Sequence, residues 1–195
     1  MFVERTELQQ LKIYYLFMHA DGSPSMTEAN YLSDILTKSN LPEEAKKDFY
    51  AFCGQKSLML STATFETVIA EMDALLGEKT SSCFLFPLST LDHNKNLQAQ
   101  TIWTLINLGY ADGDYSDAEK QFISHLVERW KMDPTLVAEF TDTASTILAL
   151  TMQKEWIQNT SKPYLTIHSI VQELDRSISS MAANIEISIS EADIA

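Results

Sequence analysis

One nine-residue pattern occurs twice in this chain, at positions 91 residues apart. Residues 20–28 are Ala-Asp-Gly-Ser-Pro-Ser-Met-Thr-Glu, and residues 111–119 are Ala-Asp-Gly-Asp-Tyr-Ser-Asp-Ala-Glu. Both copies therefore contain Ala-Asp-Gly-x-x-Ser-x-x-Glu. A duplication at a fixed interval predicts two structural units of the same kind.

Each copy is expected to form a tight turn between two helices. Its glycine follows an apolar-periodic segment, and glycine ends helices because it adopts the left-handed conformation without steric cost. Its serine precedes a glutamate by three positions, which is the spacing of a capping box. The two serine–glutamate pairs are Ser25–Glu28 and Ser116–Glu119.

The interval between glycine and glutamate also resembles the second half of an EF-hand calcium loop, in which glycine stands six positions before a bidentate glutamate. The first half of such a loop is missing from both copies. Its ligand positions are occupied by Phe17 and His19 in one copy and by Leu108 and Tyr110 in the other. The sequence therefore excludes an ordinary EF-hand.

A weaker cation site remains a prediction, because the second copy gathers four carboxylates within eight residues. The candidate metal ligands of the two copies are Asp21, Glu28, Asp112, Asp114 and Glu119. Ca²⁺ is favoured over Mg²⁺ because it tolerates irregular oxygen cages. The alternative hypothesis is that the serine and glutamate of each copy act only as helix caps.

The 91-residue register also holds beyond the turns, where apolar residues align with apolar residues. The aligned pairs include Leu11 with Ile102, Tyr14 with Leu105, Tyr15 with Ile106, Leu32 with Ile123, Leu36 with Val127 and Phe49 with Phe140. This pattern predicts an all-α helical bundle built from two pseudo-symmetric units. The expected boundaries are repeat units at about 5–55 and 97–145, a connection over 56–96, one domain over 1–160, and a C-terminal helix and acidic tail over 161–195.

Paired Ala-Asp-Gly turns, each followed by Ser-x-x-Glu and an amphipathic helix in an acidic chain of this size, resemble the TerB-like (tellurite resistance protein B) family. The resemblance covers roughly residues 5–155. It implies a bacterial helical domain, cytoplasmic or peripheral to the inner membrane, that is connected with tellurite and stress resistance and binds metal at the acidic turns. The residues that it carries over by position are Asp21, Glu28, Asp112 and Glu119. The connection over 50–98 and the C-terminal extension depart from the family pattern.

Composition and charge bear on the kind of partner and on the expected location of the protein. A formal net charge of −13 argues against nucleic acid, because that affinity depends on Lys and Arg neutralising phosphates. The chain start has no secretory pattern and no uncharged run is long enough to cross a bilayer, so a cytoplasmic location without a transmembrane segment is expected. Cys53 and Cys83 are interpreted as reduced packing residues.

The C-terminal segment carries apolar residues at alternating intervals of three and four, which is the a/d pattern of a coiled coil. These residues, called here the C-terminal seam, are Tyr164, Ile167, Val171, Leu174, Ile178, Met181 and Ile185. Two hypotheses follow. The seam packs against its own domain, or residues 164–185 bind a protein partner or a second copy of this chain.

Signatures of catalysis are lacking in the sequence. It contains no Gly-x-Gly phosphate loop, no His-Glu-x-x-His motif and no defensible nucleophile–histidine pair. We therefore expect a non-enzymatic helical binding protein of TerB-like type with a cation site at its acidic turns. The alternatives are a scaffold protein acting through the C-terminal seam without a metal, and, least favoured, a metal-dependent enzyme using Asp112 and Glu119.

Overall fold

A computed structural model of the chain describes residues 2–22, 24–77, 91, 94–160 and 164–192. Within these ranges it contains eight α-helices and no strand, which confirms the all-α fold class. The helices are α1 (Phe2–Phe17), α2 (Met26–Lys38), α3 (Glu43–Leu60), α4 (Phe65–Gly77), α5 (Lys95–Gly109), α6 (Asp117–Trp130), α7 (Pro134–Gln158) and α8 (Tyr164–Glu191).

The chain forms two compact units, an N-terminal unit (Met1–Lys131) and a C-terminal unit (Met132–Ala195). The boundary therefore lies about 30 residues before the expected one at residue 160. The physical reason is that Ile157 of α7 shares a buried apolar cluster with Ile167 and Leu174 of α8. Because α7 supplies one wall of that cluster, it belongs with α8 rather than with the preceding helices.

The starts of the helices follow the 91-residue register. α2 begins at Met26 and α6 at Asp117, while α3 begins at Glu43 and α7 at Pro134. α2 and α6 each begin directly after a capping serine. α7 has Asp133 as its N-cap and Pro134 at its first position, where proline is well tolerated. The third helix of the second repeat thus exists, although it lies in the C-terminal unit.

A hydrogen bond between equivalent residues indicates how the two repeats are related in the N-terminal unit. α1 packs against α5, its equivalent in the register. Gln10 Nε2 donates to Thr101 Oγ1 at 2.9 Å, and these two residues are 91 positions apart. A residue can meet its own equivalent only close to a symmetry axis. A pseudo-two-fold axis therefore passes between α1 and α5.

α1 is the central helix of the N-terminal unit, because it packs against α2, α3, α4 and α5. Its apolar residues Ile13, Leu16 and Phe17 are fully buried. The Phe17 ring meets the Phe122 ring of α6 edge-on, with 5.4 Å between the ring centroids. Burial of aromatic and aliphatic side chains from both repeats supplies most of the stabilisation of this unit.

α3 does not end at Gly54 but continues to Leu60, whose side chain is fully buried. Gly54 is exposed within the helix and does not have the positive φ of a helix stop. The next helix, α5, has its N-cap at Asn94, whose side chain accepts from the Leu97 N–H. The interpretation of Cys83 and most of the 80–96 stretch lies outside the described residues.

In the C-terminal unit, α7 and α8 pack antiparallel. Lys154 Nζ lies 2.6 Å from Asp175 Oδ1 near one end of the pair, and Ser188 Oγ lies 3.1 Å from Glu139 Oε1 near the other. The seam residues Ile167, Leu174 and Ile185 are buried. The hypothesis that the seam packs within its own domain is thus supported, and α8 runs to Glu191, through most of the expected acidic tail.

Among the described helices, none is both long enough and apolar enough to span a bilayer.

Two glycines offer a matched test of the turn conformation. A Cβ added at Gly113 or at Gly54 would meet no atom, but Gly113 has φ +93° and Gly54 is helical. We expect Gly113→Ala to destabilise the fold by about 1–2 kcal/mol, because an L side chain resists positive φ. Gly54→Ala should stabilise it by about 0.5–1 kcal/mol, because alanine favours the helix. Urea unfolding measures both, and changes of the same sign would contradict this account of the turn.

Candidate acidic site

Both predicted capping boxes are present. In the first turn, the Ser25 N–H donates to Glu28 Oε2 at 2.6 Å and the Glu28 N–H donates to Ser25 Oγ at 3.1 Å. In the second turn, the corresponding distances between Ser116 and Glu119 are 2.7 Å and 3.2 Å. Each glutamate is therefore held by its own helix start, and its carboxylate satisfies a backbone donor that the helix would otherwise leave unpaired.

The glycines of both turns have the conformation that the sequence predicts. Gly22 has φ 123° and Gly113 has φ 93°, values that L side chains rarely adopt. In the second turn, Asp112 Oδ1 also accepts from the Asp114 N–H at 3.1 Å. This bond within the loop holds the Asp112 carboxylate near the backbone while its remaining lone pairs stay available to solvent.

The two capping glutamates are unusual in their burial. Glu28 is 4% exposed and Glu119 is 3% exposed, whereas Asp21, Asp112 and Asp114 are exposed. The first turn thus contributes one buried and one exposed carboxylate, and the second contributes one buried and two exposed ones. A buried carboxylate normally needs a cation or several donors to remain ionised.

The two turns come together in the N-terminal unit. Asp21 of the first turn interacts electrostatically with Asp112 and Asp114 of the second. Glu119 of the second turn interacts with Glu28 and Asp21 of the first. All five predicted ligand residues therefore form one cluster, which we call the acidic site. Equivalent members interact across the two turns, Asp21 with Asp112 and Glu28 with Glu119.

Three members of the acidic site, Glu119, Glu28 and Asp21, have raised pKa values. The pKa of Glu119 is raised to about 7, mainly by burial and also by the nearby Glu28 and Asp21 carboxylates, against the lowering effect of the Ser116 hydrogen bonds. Burial likewise raises the pKa of Glu28, with Asp21 and Asp112 adding to it. Partial desolvation, followed by Asp112 and Asp114, raises the pKa of Asp21. Glu119 consequently changes charge near neutral pH.

One difference between the copies shapes the second turn. A Cβ at Gly109 would lie 2.7 Å from Tyr115 Cδ2 and 3.2 Å from Glu119 Oε1. In the 91-residue alignment of the two copies, Met18 corresponds to Gly109 and Pro24 corresponds to Tyr115. The first copy thus has a buried methionine directly after its helix, and the second has a buried tyrosine on its turn that needs the glycine. Tyr115 and Glu119 therefore lie together beside Gly109.

A buried histidine, His19, lies beside the first turn. It is buried, and among the described residues no group forms a hydrogen bond of good geometry with either ring nitrogen. Its ring packs edge-on against Tyr15 at 5.0 Å. Burial lowers the pKa of His19, although the Gly22 backbone and the Asp21 carboxylate act in the opposite direction. The imidazole is therefore favoured in its neutral form, which is the form that binds metals.

The acidic site is not a closed metal cage. Within the ranges that the structure describes, no three His, Cys, Asp or Glu side chains converge closely enough to hold one ion directly. An ion at this site would therefore use at most a pair of protein side chains and complete its coordination with water. Such open sites give weak binding.

Gly109, Tyr115 and His19 were not predicted as site residues. Tyr115 lies inside the motif, but its position there is not shared by the first copy, so the repeat gave no reason to select it. His19 was treated only as a residue that disrupts an EF-hand loop. Recognising either role required knowing that the two turns meet.

The chain matches no protein-family model, no curated protein and no solved structure. The resemblance to TerB-like proteins thus remains a prediction that depends on the duplicated motif.

The raised pKa of Glu119 leads to a prediction about stability. A carboxyl with a folded pKa of about 7 and an ordinary pKa of 4.5 binds its proton more tightly when folded, so its contribution to stability is lost as pH rises from 4.5 through 7. We expect Glu119→Gln to raise the free energy of unfolding at pH 8 by about 1–3 kcal/mol relative to the natural chain, and to have a much smaller effect at pH 5. Urea unfolding at the two pH values measures this.

The exposed Glu128 lies on the same helix as Glu119, and Glu128→Gln is the matched control. His19 acts in the opposite direction, because its lowered pKa makes the stability of the fold rise with pH up to the ordinary histidine pKa of 6.5. It is present in both proteins, so its effect cancels in the comparison. A Glu119→Gln protein that is equally or less stable at pH 8 would contradict the burial of an ionised Glu119.

Proposed function

We propose that this protein is a non-enzymatic helical binding protein and that its acidic site takes up a divalent cation. The observation that carries the proposal is the meeting of two acidic turns, 91 residues apart in sequence, around one pseudo-two-fold axis. Either turn alone supplies too few oxygen ligands. Together they bring five carboxylates within electrostatic range of one another, and a cation would relieve their mutual repulsion.

The members of the acidic site have complementary roles in this proposal. The exposed Asp21, Asp112 and Asp114 carboxylates are accessible to an arriving ion. The buried Glu28 and Glu119 carboxylates contribute negative charge from the protein interior, where water screens their electric field less. His19, beside Asp21, offers a neutral nitrogen ligand.

Weak affinity follows from the open geometry. With no three side chains converging on one point in the described part of the chain, water must occupy several coordination positions. We expect a dissociation constant on the order of 10⁻⁴ M or weaker, in the range of low-affinity calcium modules. Ca²⁺ is preferred over Mg²⁺ because its coordination shell is less regular.

A cation site at paired acidic turns would agree with the role in tellurite and stress resistance that the TerB-like resemblance implies. It would also agree with a cytoplasmic bacterial protein or one peripheral to the inner membrane. An ion at the axis would connect the two repeats, since each repeat contributes one turn. Binding would therefore stabilise the N-terminal unit as well as neutralise it.

Calorimetric titration with Ca²⁺ and with Mg²⁺ tests the proposal. The Asp112→Asn/Asp114→Asn protein should lose the Ca²⁺ heat of the natural chain, while the amide at 112 can still accept the loop hydrogen bond. Affinity should also fall between pH 8 and pH 6, because a proton on Glu119 competes with the ion.

The control is Asp34→Asn/Asp48→Asn, which removes the same charge from exposed positions elsewhere in the N-terminal unit. Equal Ca²⁺ heats in the two double mutants would mean that the ion responds to net charge only. The turns would then serve as helix caps, as the alternative hypothesis holds.

A second candidate function is protein–protein interaction through the C-terminal unit. Its specific support is an exposed apolar surface: Trp156 is 72% exposed, and Met152, one helical turn before it on α7, is exposed as well. Ile170 and Ile187 of α8 are also exposed. The seam itself packs against α7, so a partner would contact these outer side chains rather than the seam.

Light scattering of the full chain over a range of concentrations tests this second candidate with a second copy as partner. If the copies associate, Trp156→Ser should lower the mass toward that of a monomer, because a large aromatic side chain is a typical interface anchor. Tyr50→Ser, which removes an exposed aromatic side chain of α3, should not. A concentration-independent monomer would exclude self-association through this surface.

A further inference from the structure

A cavity of about 570 Å³ opens between α1, α2 and α5 in the N-terminal unit. Its volume is in the range of small-molecule sites, about 300–1,000 Å³. Carbon atoms supply most of its lining surface, although polar side chains such as Gln10, Asn94 and Gln100 also line it. The apolar and aromatic lining residues are Leu11, Tyr14, Tyr31, Ile35 and Leu97.

The cavity breaks the symmetry of the two repeats. In the 91-residue alignment, Tyr14, Tyr31 and Ile35 correspond to Leu105, Phe122 and Leu126 of the second copy. All three of these second-copy residues are fully buried in the core. The duplicated fold can therefore fill this region with packed side chains, and it does so in one copy only. In the first copy the corresponding side chains line an open space and two of them carry hydroxyl groups.

The Tyr14 side chain lines the cavity, and its hydroxyl oxygen can accept a hydrogen bond. The buried Tyr14 hydroxyl is within hydrogen-bonding reach of the Thr104 and Thr101 hydroxyls. Both threonine protons are already donated to backbone carbonyls, from Thr101 to Leu97 at 2.6 Å and from Thr104 to Gln100 at 2.9 Å. Neither threonine therefore has a proton left for the Tyr14 oxygen, which keeps its lone pairs for an incoming donor.

The charge of the lining selects against ions. Glu7 and Lys38 are the charged residues among the lining side chains, and they carry opposite charges. The cavity as a whole is therefore neutral in a chain of net charge −13. A neutral ligand enters without the desolvation penalty that an ion would incur against apolar and aromatic walls.

We propose that this cavity binds a small uncharged aromatic molecule that carries one N–H or O–H donor, with the ring between Tyr31, Ile35 and Leu11 and the donor on Tyr14 Oη. The ligand completes the hydrogen bonding of the Tyr14 hydroxyl. It also occupies the volume that Leu105, Phe122 and Leu126 fill in the other copy. The site is separate from the acidic site and does not depend on a cation.

Indole and benzofuran form a matched pair of probes, because they have nearly the same shape and only indole has an N–H donor. Nuclear magnetic resonance titration of ¹⁵N-labelled full-length protein measures both. Indole should shift the amide signals of α1, α2 and α5 around the cavity and bind about tenfold more tightly than benzofuran, as expected for one buried hydrogen bond. Equal affinity of the two probes would overturn the role given to Tyr14.

Three variants complete the test. Tyr14→Phe should bind both probes with the same affinity, because the acceptor is gone and the ring remains. Ile35→Trp should fill the cavity and abolish binding, whereas Ser33→Trp, at an exposed position of the same helix, should not. Indole binding that persists unchanged in Ile35→Trp, or signal shifts confined to other regions, would overturn the site.

Discussion

The structure of the N-terminal unit depends on a conflict between helix capping and charge. Each Asp-Gly turn ends with a glutamate that must stay close to its serine, because its carboxylate accepts the serine N–H. The pseudo-two-fold axis places each turn opposite its own equivalent, so the carboxylate of one cap faces the carboxylate of the other. Neither can turn outward without abandoning its cap. A duplication that uses acidic caps near its axis therefore produces an acidic cluster, whatever its later function.

Such a cluster can lower its energy by binding a proton or a cation. The pKa of about 7 at Glu119 means that its proton is held until neutral pH. The two copies differ at this point, because Tyr115 and Glu119 lie together beside Gly109, whereas the first copy has Met18 and Pro24 at the equivalent positions. A bound cation is the alternative to the proton, and the aspartates are exposed where an ion could reach them.

Local chemistry was predictable from the sequence, and long-range placement was not. The capping boxes, the positive φ of both glycines and the register of helix starts follow from residue types a few positions apart. Periodicity cannot show which faces of two helical pairs meet, so the five acidic residues were selected without evidence that they converge. The position of the boundary between the two units depends on long-range placement in the same way. The repeat groups α7 with the first domain, whereas in the structure α7 packs against the C-terminal seam on α8.

The same symmetry argument separates two kinds of site in this unit. A ligand on the pseudo-axis would contact equivalent groups from both repeats. The cavity beside Tyr14, Tyr31 and Ile35 has no counterpart at the fully buried Leu105, Phe122 and Leu126, so it belongs to one repeat only. Replacing packed core by an open, hydroxyl-bearing cavity sacrifices apolar burial, which stabilises by about 25 cal/mol per Å². A chain that keeps such a loss near its central helix is expected to recover it through a ligand that binds the folded state.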